Sequence, residues 1–213
     1  MKTLDCYFDF VSPFSYFAVE QIDRFPRGVE IRLMPVLFAG LLNHWKHKGP
    51  AELAPKRRFT MRYVQWLATR HHIPLRIPPA HPFNPLAVLR LSIALNNEPD
   101  VVRQIFRFIW QQGRRPDEPD NWAELKEHLN VPDADTRISS PDVKDRLRRN
   151  GDEALERGIF GVPSFVVDGE IFWGFDAVGF VIDYLRNPTL FQSAEMQRVS
   201  NLPIGVERQD KQT

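Results

Sequence analysis

The chain has 213 residues, with 43% hydrophobic and 26% charged side chains and a formal net charge of +1. These values exclude wholesale disorder, and the length fits one large domain or two small ones. The single cysteine, Cys6, excludes an intramolecular disulfide and a zinc site of several thiolates.

The N-terminal part of the chain has the pattern of a strand, a helix and a second strand. Apolar and polar residues alternate over 4–10, which predicts a strand. Ser12 and Pro13 then indicate a helix start, because a serine hydroxyl caps free backbone amides and proline tolerates the first helical position. Residues 29–34 form the second predicted strand, which Pro35 ends. Such a βαβ unit requires a right-handed crossover between two parallel strands.

The middle of the chain has a helical pattern interrupted by prolines. Helices are predicted near residues 55–72, 84–96, 99–112, 121–129 and 140–157. This block is too long for a loop, so we expect a helical subdomain packed over one end of the sheet.

Positive charge is concentrated between His44 and Arg76. This window contains one acid, Glu52, and eight basic residues, so its charge is +7 and the remaining chain carries about −6. The basic residues are Lys46, Lys48, Lys56, Arg57, Arg58, Arg62, Arg70 and Arg76. The surplus indicates either an anionic small ligand or a solvated helix face. Nucleic acid is disfavoured as a partner, because it favours a basic pI for the whole domain and interleaved aromatics.

The strand pattern returns near the C-terminus. Residues 164–167 and 170–173 flank the turn Asp168-Gly169, which is typical of a β-hairpin. A last helix is predicted over about 175–186, with a polar tail after it.

The order of these elements predicts an α/β fold: a thioredoxin-like βαβ-ββα sheet with a large all-helical insertion. Residues 1–36 and 158–188 would form the thioredoxin-like domain, and residues 37–157 the helical insertion. Residues 189–213 would form a C-terminal tail whose end we expect to be disordered.

Two short motifs are candidates for chemistry, and each has a plain structural alternative. Ser12 places a hydroxyl at the positive end of a helix dipole, where a thiolate or carboxylate is stabilised, but Ser-Pro is also a common helix cap. Pro163 opens a strand, and a cis bond before it would leave the backbone of Val162 free for an extended peptide-like ligand. The alternative there is an ordinary proline turn.

Several segments combine into a more specific pattern. They are FDFVSPFSY at 8–16, PVLF at 35–38, KRRF at 56–59, HPFN at 81–84 followed by Arg90, FGVPSF at 160–165 and FWGFD at 172–176. With them the chain resembles the thioredoxin-fold family that joins 2-hydroxychromene-2-carboxylate isomerase and kappa-class glutathione transferase, relatives of the disulfide oxidoreductase DsbA. The resemblance covers roughly residues 3–186.

The resemblance implies a glutathione-dependent isomerase. Redox members have Cys-x-x-Cys where this chain has Ser12-Pro13-Phe14-Ser15, so a dithiol cycle is excluded. Ser12 would instead stabilise the glutathione thiolate, which adds reversibly to an electrophilic carbon while a bond rotates. The alternatives are a kappa-type glutathione transferase that releases a conjugate, and a non-catalytic DsbA-like binding protein that has lost its redox cysteines.

The resemblance also implies a set of binding residues, with Ser12 as the catalytic residue. The expected glutathione-binding residues are Ser12, Phe14, Lys56, Val162, Pro163, Trp173, Phe175 and Asp176. The expected substrate-binding residues are Asn43, Lys46, Asn84 and Arg90. Val162 would pair with the cysteinyl backbone of glutathione, and Asp176 would hold its γ-glutamyl end. Many relatives have Asp-Arg where this chain has Asp176-Ala177, and several isomerases have Lys where it has Asn43, so the resemblance does not name the substrate.

The expected partners are glutathione, a small aromatic carboxylate or electrophilic substrate, and a second copy in a homodimer. Neither a membrane nor a metal is expected, and the N-terminus lacks a secretory pattern, so we expect a cytoplasmic location. Trp66 and Trp110 lie at helical spacing and are expected in the core, as is Cys6.

Overall fold

One mixed four-stranded sheet, in the order β2-β1-β3-β4, is central to the structure, a computed structural model that describes residues 2–206. The strands are β1 (Lys2–Phe8), β2 (Val29–Pro35), β3 (Ser164–Val167) and β4 (Glu170–Trp173). β2 runs parallel to β1, whereas β3 is antiparallel to both β1 and β4. This topology confirms the predicted thioredoxin-like βαβ-ββα sheet.

Helices surround this sheet. They are α1 (Pro13–Glu20), α2 (Phe38–His44), α3 (Ala54–His71), α4 (Leu86–Ala94), α5 (Pro99–Phe106), α6 (Pro119–His128), α7 (Ala134–Ser139), α8 (Pro141–Glu156), α9 (Val178–Arg186) and α10 (Ala194–Ser200). α5 continues into a π-helical segment, Arg107–Gln111. The predicted helices of the middle block are present with shifted ends, and α2 and α7 are additional. Across residues 2–206, no helix has both the length and the apolar character needed to cross a membrane.

The start of the last predicted helix and the structure of the C-terminal tail differ from the sequence prediction. The last helix begins at Val178 rather than near residue 175, because residues 174–177 form overlapping turns, with Ala177 N–H bonded to Gly174 O and Val178 N–H to Phe175 O. The tail contains the short helix α10, whose first turn is capped by the hydroxyl of Ser193. The end of the tail, where disorder was expected, includes residues 207–213, which lie outside the described residues.

The main hydrophobic core is shared between the sheet and the helical block. Leu4, Cys6 and Phe8 point to one face of β1, as the period of two in a strand requires, and Tyr7 points to the other. Beyond the strand, Phe10 lies 4.6 Å from Phe106 of α5, measured between ring centroids. The helical block therefore packs directly against the end of β1, where the connection to α1 begins. The division into domains stays a prediction.

Candidate active site

Ser12 lies where the sequence predicted it, at the N-cap of α1, and is only 6% exposed. Its Oγ accepts a hydrogen bond from the backbone N–H of Ser15 at 3.2 Å. The same oxygen lies 3.5 Å from the carbonyl oxygen of Val162, the outer limit for a hydrogen bond. Two motifs that are 150 residues apart in the chain therefore meet at one hydroxyl group.

The Val162–Pro163 segment forms the opposite side of this meeting point. Its peptide bond is cis, one of the two alternatives that the sequence left open. The carbonyl oxygen of Pro163 accepts from Gly174 N–H at 2.9 Å, which fixes the segment against the residues that follow β4. Ser164 Oγ donates to the carbonyl oxygen of Gly161 at 2.7 Å. These bonds define the backbone path beside Ser12.

Trp173 covers the start of that segment. A Cβ atom added to Gly161 would lie 2.5 Å from Trp173 Nε1, so a larger residue there would displace the indole. Trp173 is nevertheless 55% exposed and makes an edge-to-face contact with Phe160, with 5.0 Å between ring centroids. An aromatic rim thus borders the Val162–Pro163 segment on its solvent side.

The C-terminal end of α2 is attached to the same region. The indole Nε1 of Trp45 donates to the carbonyl oxygen of Ile159 at 2.9 Å, one residue before Phe160. Asn43 and Lys46, both expected to bind substrate, are exposed near this end of α2. The structure therefore brings these two residues to the side of the molecule that carries the Val162–Pro163 segment.

Phe14, Phe175 and Asp176 occupy different environments. Phe175 is buried against the ring of Phe17 on α1, at 5.4 Å between centroids, so its side chain is part of the core. Phe14 is half-buried and lies 6.3 Å from the ring of Tyr63 on α3. Asp176 is exposed just after β4.

Lys56 and the other basic residues of the window 44–76 have no carboxylate partner within residues 2–206, since none of them belongs to an ion pair there. Lys56 lies exposed in the first turn of α3. On the same helix, Arg58, Phe59 and Arg62 line a shallow surface depression. The positive charge of this region is therefore not neutralised by neighbouring acids in the described part of the chain.

Asn84 lies just before α4, and Arg90 lies on that helix. The side-chain oxygen of Asn84 accepts from the backbone N–H of Leu86 at 3.0 Å, which makes Asn84 part of the helix start. Arg90 is half-buried, and its Nε is buried without a hydrogen-bond partner among the described residues. No contact in the structure joins either residue to Ser12, so their role as substrate ligands stays a prediction.

Asp9 was not among the predicted site residues, yet it is fully buried three residues before Ser12. Its Oδ1 accepts from Val11 N–H at 2.9 Å and its Oδ2 accepts from Phe38 N–H at 2.8 Å. Burial raises the pKa of Asp9 to about 7, against the opposing effect of these two hydrogen bonds. Asp9 thereby ties the loop after β1 to the start of α2. An acid directly after an apolar strand is the one signal in the sequence that points to it.

His81 is a partly buried side chain that was likewise not among the predicted site residues. Its Nε2 lies 2.8 Å from the carbonyl oxygen of Val11, next to Ser12, and its ring lies 5.6 Å from that of Trp110. Burial lowers the pKa of His81, so the ring is neutral at pH 7 and Nε2 carries the proton that it donates. The Trp110 indole donates to the carbonyl oxygen of Phe10 at 2.9 Å.

Three residues, Trp110, Cys6 and Trp66, are expected in the core from the sequence. Trp110 and Cys6 are buried, as predicted, but Trp66 is 53% exposed, so the prediction that it lies in the core is wrong. Trp66 stacks on Tyr63 along the solvent face of α3, because the buried residues of that helix occupy its other side. Burial raises the pKa of Cys6 to about 12, so its thiol is protonated at neutral pH. In the described range 2–206, no cluster of three metal-ligating side chains occurs.

Comparison with known proteins places this geometry in a family. Residues 3–186 match the DsbA-like thioredoxin domain. The chain is 29% identical over 192 residues to 2-hydroxychromene-2-carboxylate isomerase of Sphingobium xenophagum, a match covering 86% of this chain and 98% of that protein. It is also 29% identical over 210 residues to glutathione S-transferase kappa 2 of Caenorhabditis elegans, covering 88% and 93% of the two chains. A solved structure of 2-hydroxychromene-2-carboxylate isomerase superposes with a TM-score of 0.75 at 25% identity, covering 91% of this chain and 98% of that chain.

Proposed function

The chain belongs to the DsbA-like thioredoxin domain family, and from that premise we propose that it is a glutathione-dependent isomerase of the 2-hydroxychromene-2-carboxylate isomerase type. The observation that carries the proposal is the contact between Ser12 Oγ and the carbonyl oxygen of Val162. It joins a hydroxyl at a helix N-terminus to the backbone segment that contains the cis Val162–Pro163 bond. In a bound peptide that carries a thiol, the first feature would serve the sulfur and the second would serve the peptide backbone.

The residues present fit glutathione, an anionic tripeptide with one thiol. The hydroxyl of Ser12 and the N-terminus of α1 offer dipoles that favour a negative charge on sulfur. Val162, oriented by its cis bond to Pro163, offers backbone groups for the cysteinyl residue of the peptide. Lys56 is a cation without a carboxylate partner in the described chain, which suits a carboxylate of the ligand.

Glutathione, when bound, supplies a thiolate that adds reversibly to an electrophilic carbon of the substrate. In this proposal the residues of the chain hold that sulfur ionised, orient it and bind the substrate. Ser12 turns its single hydroxyl hydrogen from the carbonyl oxygen of Val162 to sulfur, while its lone pair keeps the hydrogen bond from Ser15 N–H. Trp173 borders the ligand on one side, and Asp176 holds the γ-glutamyl end. Asn43, Lys46, Asn84 and Arg90 are the proposed contacts to a substrate carboxylate.

The same residues would serve a transferase that releases the conjugate, which is the name carried by the kappa-class relatives. Turnover of a generic electrophile without recovery of free glutathione favours that outcome, whereas recovery of all the glutathione favours the isomerase. Binding without turnover of any electrophile favours a non-catalytic binding protein. A cytoplasmic location and a homodimeric assembly complete the proposal, and cell fractionation and sedimentation test them.

The decisive experiment compares Ser12→Ala with Ser15→Ala. Both variants remove a buried hydroxyl group near the start of α1, but the hydroxyl of Ser15 has no hydrogen-bond partner among the described residues. If Ser12 only caps the helix, its loss lowers the free energy of unfolding by about 0.5–2 kcal/mol and changes nothing else. If it acts on sulfur, Ser12→Ala also raises the pKa of the bound glutathione thiol, followed by thiolate absorbance against pH, and Ser15→Ala does not. An unchanged thiolate titration in Ser12→Ala removes Ser12 from the mechanism.

A further inference from the structure

The two peptide groups that precede Ser12 are each held at both ends. In the group between Phe10 and Val11, the carbonyl oxygen accepts from Trp110 and the N–H donates to the carboxylate of Asp9. In the group between Val11 and Ser12, the carbonyl oxygen accepts from His81 Nε2 at 2.8 Å. The N–H of that second group donates to the backbone carbonyl of Asp9 at 3.0 Å.

The orientation of the second peptide group sets the backbone angle φ of Ser12. Ser12 has φ −93° and ψ 116°, the extended conformation that an N-cap residue needs before the helix begins. Rotation of the Val11–Ser12 peptide plane changes φ of Ser12, and a change that ψ of Val11 does not compensate moves the Cβ and hydroxyl of Ser12 relative to Val162. His81 is the side chain that holds the carbonyl end of this plane, whereas its N–H end is held by backbone.

His81 makes no other hydrogen bond to the described residues. Its Nδ1 is buried without a partner, and its ring lies among the aromatic rings of Phe83 and Trp110. The hydrogen bond to the carbonyl oxygen of Val11 is thus the polar contact that this ring makes among the described residues. Because the His81 ring forms this single hydrogen bond among the described residues, its polar effect on the structure is exerted through the carbonyl group of Val11.

We propose that His81 is a positioning residue for Ser12: by fixing the Val11–Ser12 peptide plane, it aims the Ser12 hydroxyl at the site of the glutathione sulfur. The proposal rests on the proposed function for the identity of the ligand. It makes two separable claims, one about the ligand-free loop and one about the bound thiol.

The claim about the loop is tested in the ligand-free protein by hydrogen exchange of the Val11 and Ser12 amides. His81→Leu removes the donor, and we expect both amides to exchange about tenfold faster or more, as loss of one buried hydrogen bond implies. His81→Gln places an amide nitrogen close to the position of Nε2 and should restore slow exchange, whereas the shorter His81→Asn should not. If His81→Leu does not fold, the comparison of His81→Gln with His81→Asn tests the same claim.

The claim about the thiol is tested by titrating bound glutathione through its thiolate absorbance. His81→Leu should lower the ionised fraction of bound thiol near neutral pH about tenfold, and His81→Gln should recover most of it. Leu125→Ala is the matched control, because it removes a buried side chain from α6 and destabilises the fold without touching the loop.

The outcomes are distinguishable. Faster exchange together with a raised thiol pKa in His81→Leu, and neither change in Leu125→Ala, supports the proposal. An unchanged thiol pKa in His81→Leu, or an equal shift in Leu125→Ala, overturns it. If the wild-type protein binds no glutathione, the proposed function fails, and the exchange measurement alone decides whether His81 fixes the peptide plane.

Discussion

The buried carboxyl group of Asp9 makes the stability of this protein depend on pH. Its side chain is fully buried and accepts hydrogen bonds from Val11 N–H and Phe38 N–H, with no cation contributing to its titration. Burial disfavours the charged form more than the two hydrogen bonds favour it, so the pKa of Asp9 rises from 3.8 to about 7. The folded state therefore binds this proton more tightly than the unfolded state.

The sign and size of the effect follow from that difference. Asp9 contributes stability that is fully present below about pH 4 and is lost as the pH rises through about 7. A pKa that rises from 3.8 to about 7 corresponds to about 4 kcal/mol, because each tenfold change in proton affinity is worth about 1.4 kcal/mol. Asp9→Asn removes this dependence. Its amide accepts only one of the two backbone N–H bonds, a cost that does not vary with pH.

The assay is urea unfolding of wild type and Asp9→Asn from about pH 4 to about pH 8. The free energy of unfolding of wild type minus that of the variant should fall by about 4 kcal/mol across this range. The infrared band of protonated carboxylic acid should have a component that disappears from wild type with a midpoint near pH 7, and this component should be missing from Asp9→Asn. A difference that stays constant, or grows with pH, would mean that the two amides dominate over burial and would refute the reasoning.

Two further predictions concern Gly161 and Cys6. Gly161→Ala should destabilise the protein by about 1 kcal/mol, because the new Cβ meets the indole of Trp173; this cost should vanish when Trp173→Ala is also present, and a cost that persists would place its origin in the backbone. Because the only cysteine, Cys6, is buried and its pKa is raised to about 12, the protein should not accelerate insulin reduction by dithiothreitol. Reductase turnover that survives Cys6→Ser would contradict this.

The features that the sequence predicted correctly are those determined by a few neighbouring residues. Ser12 and Pro13 specify a helix start whatever surrounds them, and the Asp168-Gly169 turn specifies a hairpin. Alternation along β1 likewise assigns its residues to the two faces of the sheet. Such signals need no knowledge of the tertiary structure, so the thioredoxin-like sheet could be predicted from its parts.

The features that it did not predict depend on contacts between distant segments. His81 acts on a carbonyl group 70 residues earlier, and Asp9 accepts from an amide 29 residues later. The sequence around a histidine or an aspartate does not indicate which distant backbone group its side chain will bind. Trp66 shows the reverse case, in which helical spacing indicated the core but the helix turned that face to solvent. Periodicity defines a face, and packing decides which face is buried.

In the proposed function, the loop around Ser12 and the basic window would act on an anion by different means. At the loop, burial favours the neutral forms of both Asp9 and His81, so a bound anion there would be stabilised mainly by dipoles at short range. The window offers exposed cations without carboxylate partners in the described chain, and salt screens their attraction. Affinity for glutathione should therefore fall with ionic strength, while the pKa of its bound thiol should not.

Substitution of Lys56 tests whether the basic window controls the affinity for glutathione without affecting the pKa of the bound thiol. Lys56 and Arg57 are neighbours on α3 and point about 100° apart around the helix, so one ligand cannot face both equally. Lys56→Ala should weaken glutathione binding about tenfold at low salt, because a charge-assisted bond is lost, and by less at high salt, where the exposed charge is already screened. The pKa of the bound thiol should not change. Arg57→Ala should change the affinity far less. Isothermal titration decides: equal losses in both variants would indicate a diffuse field, and no loss in either would make the window a solvated face.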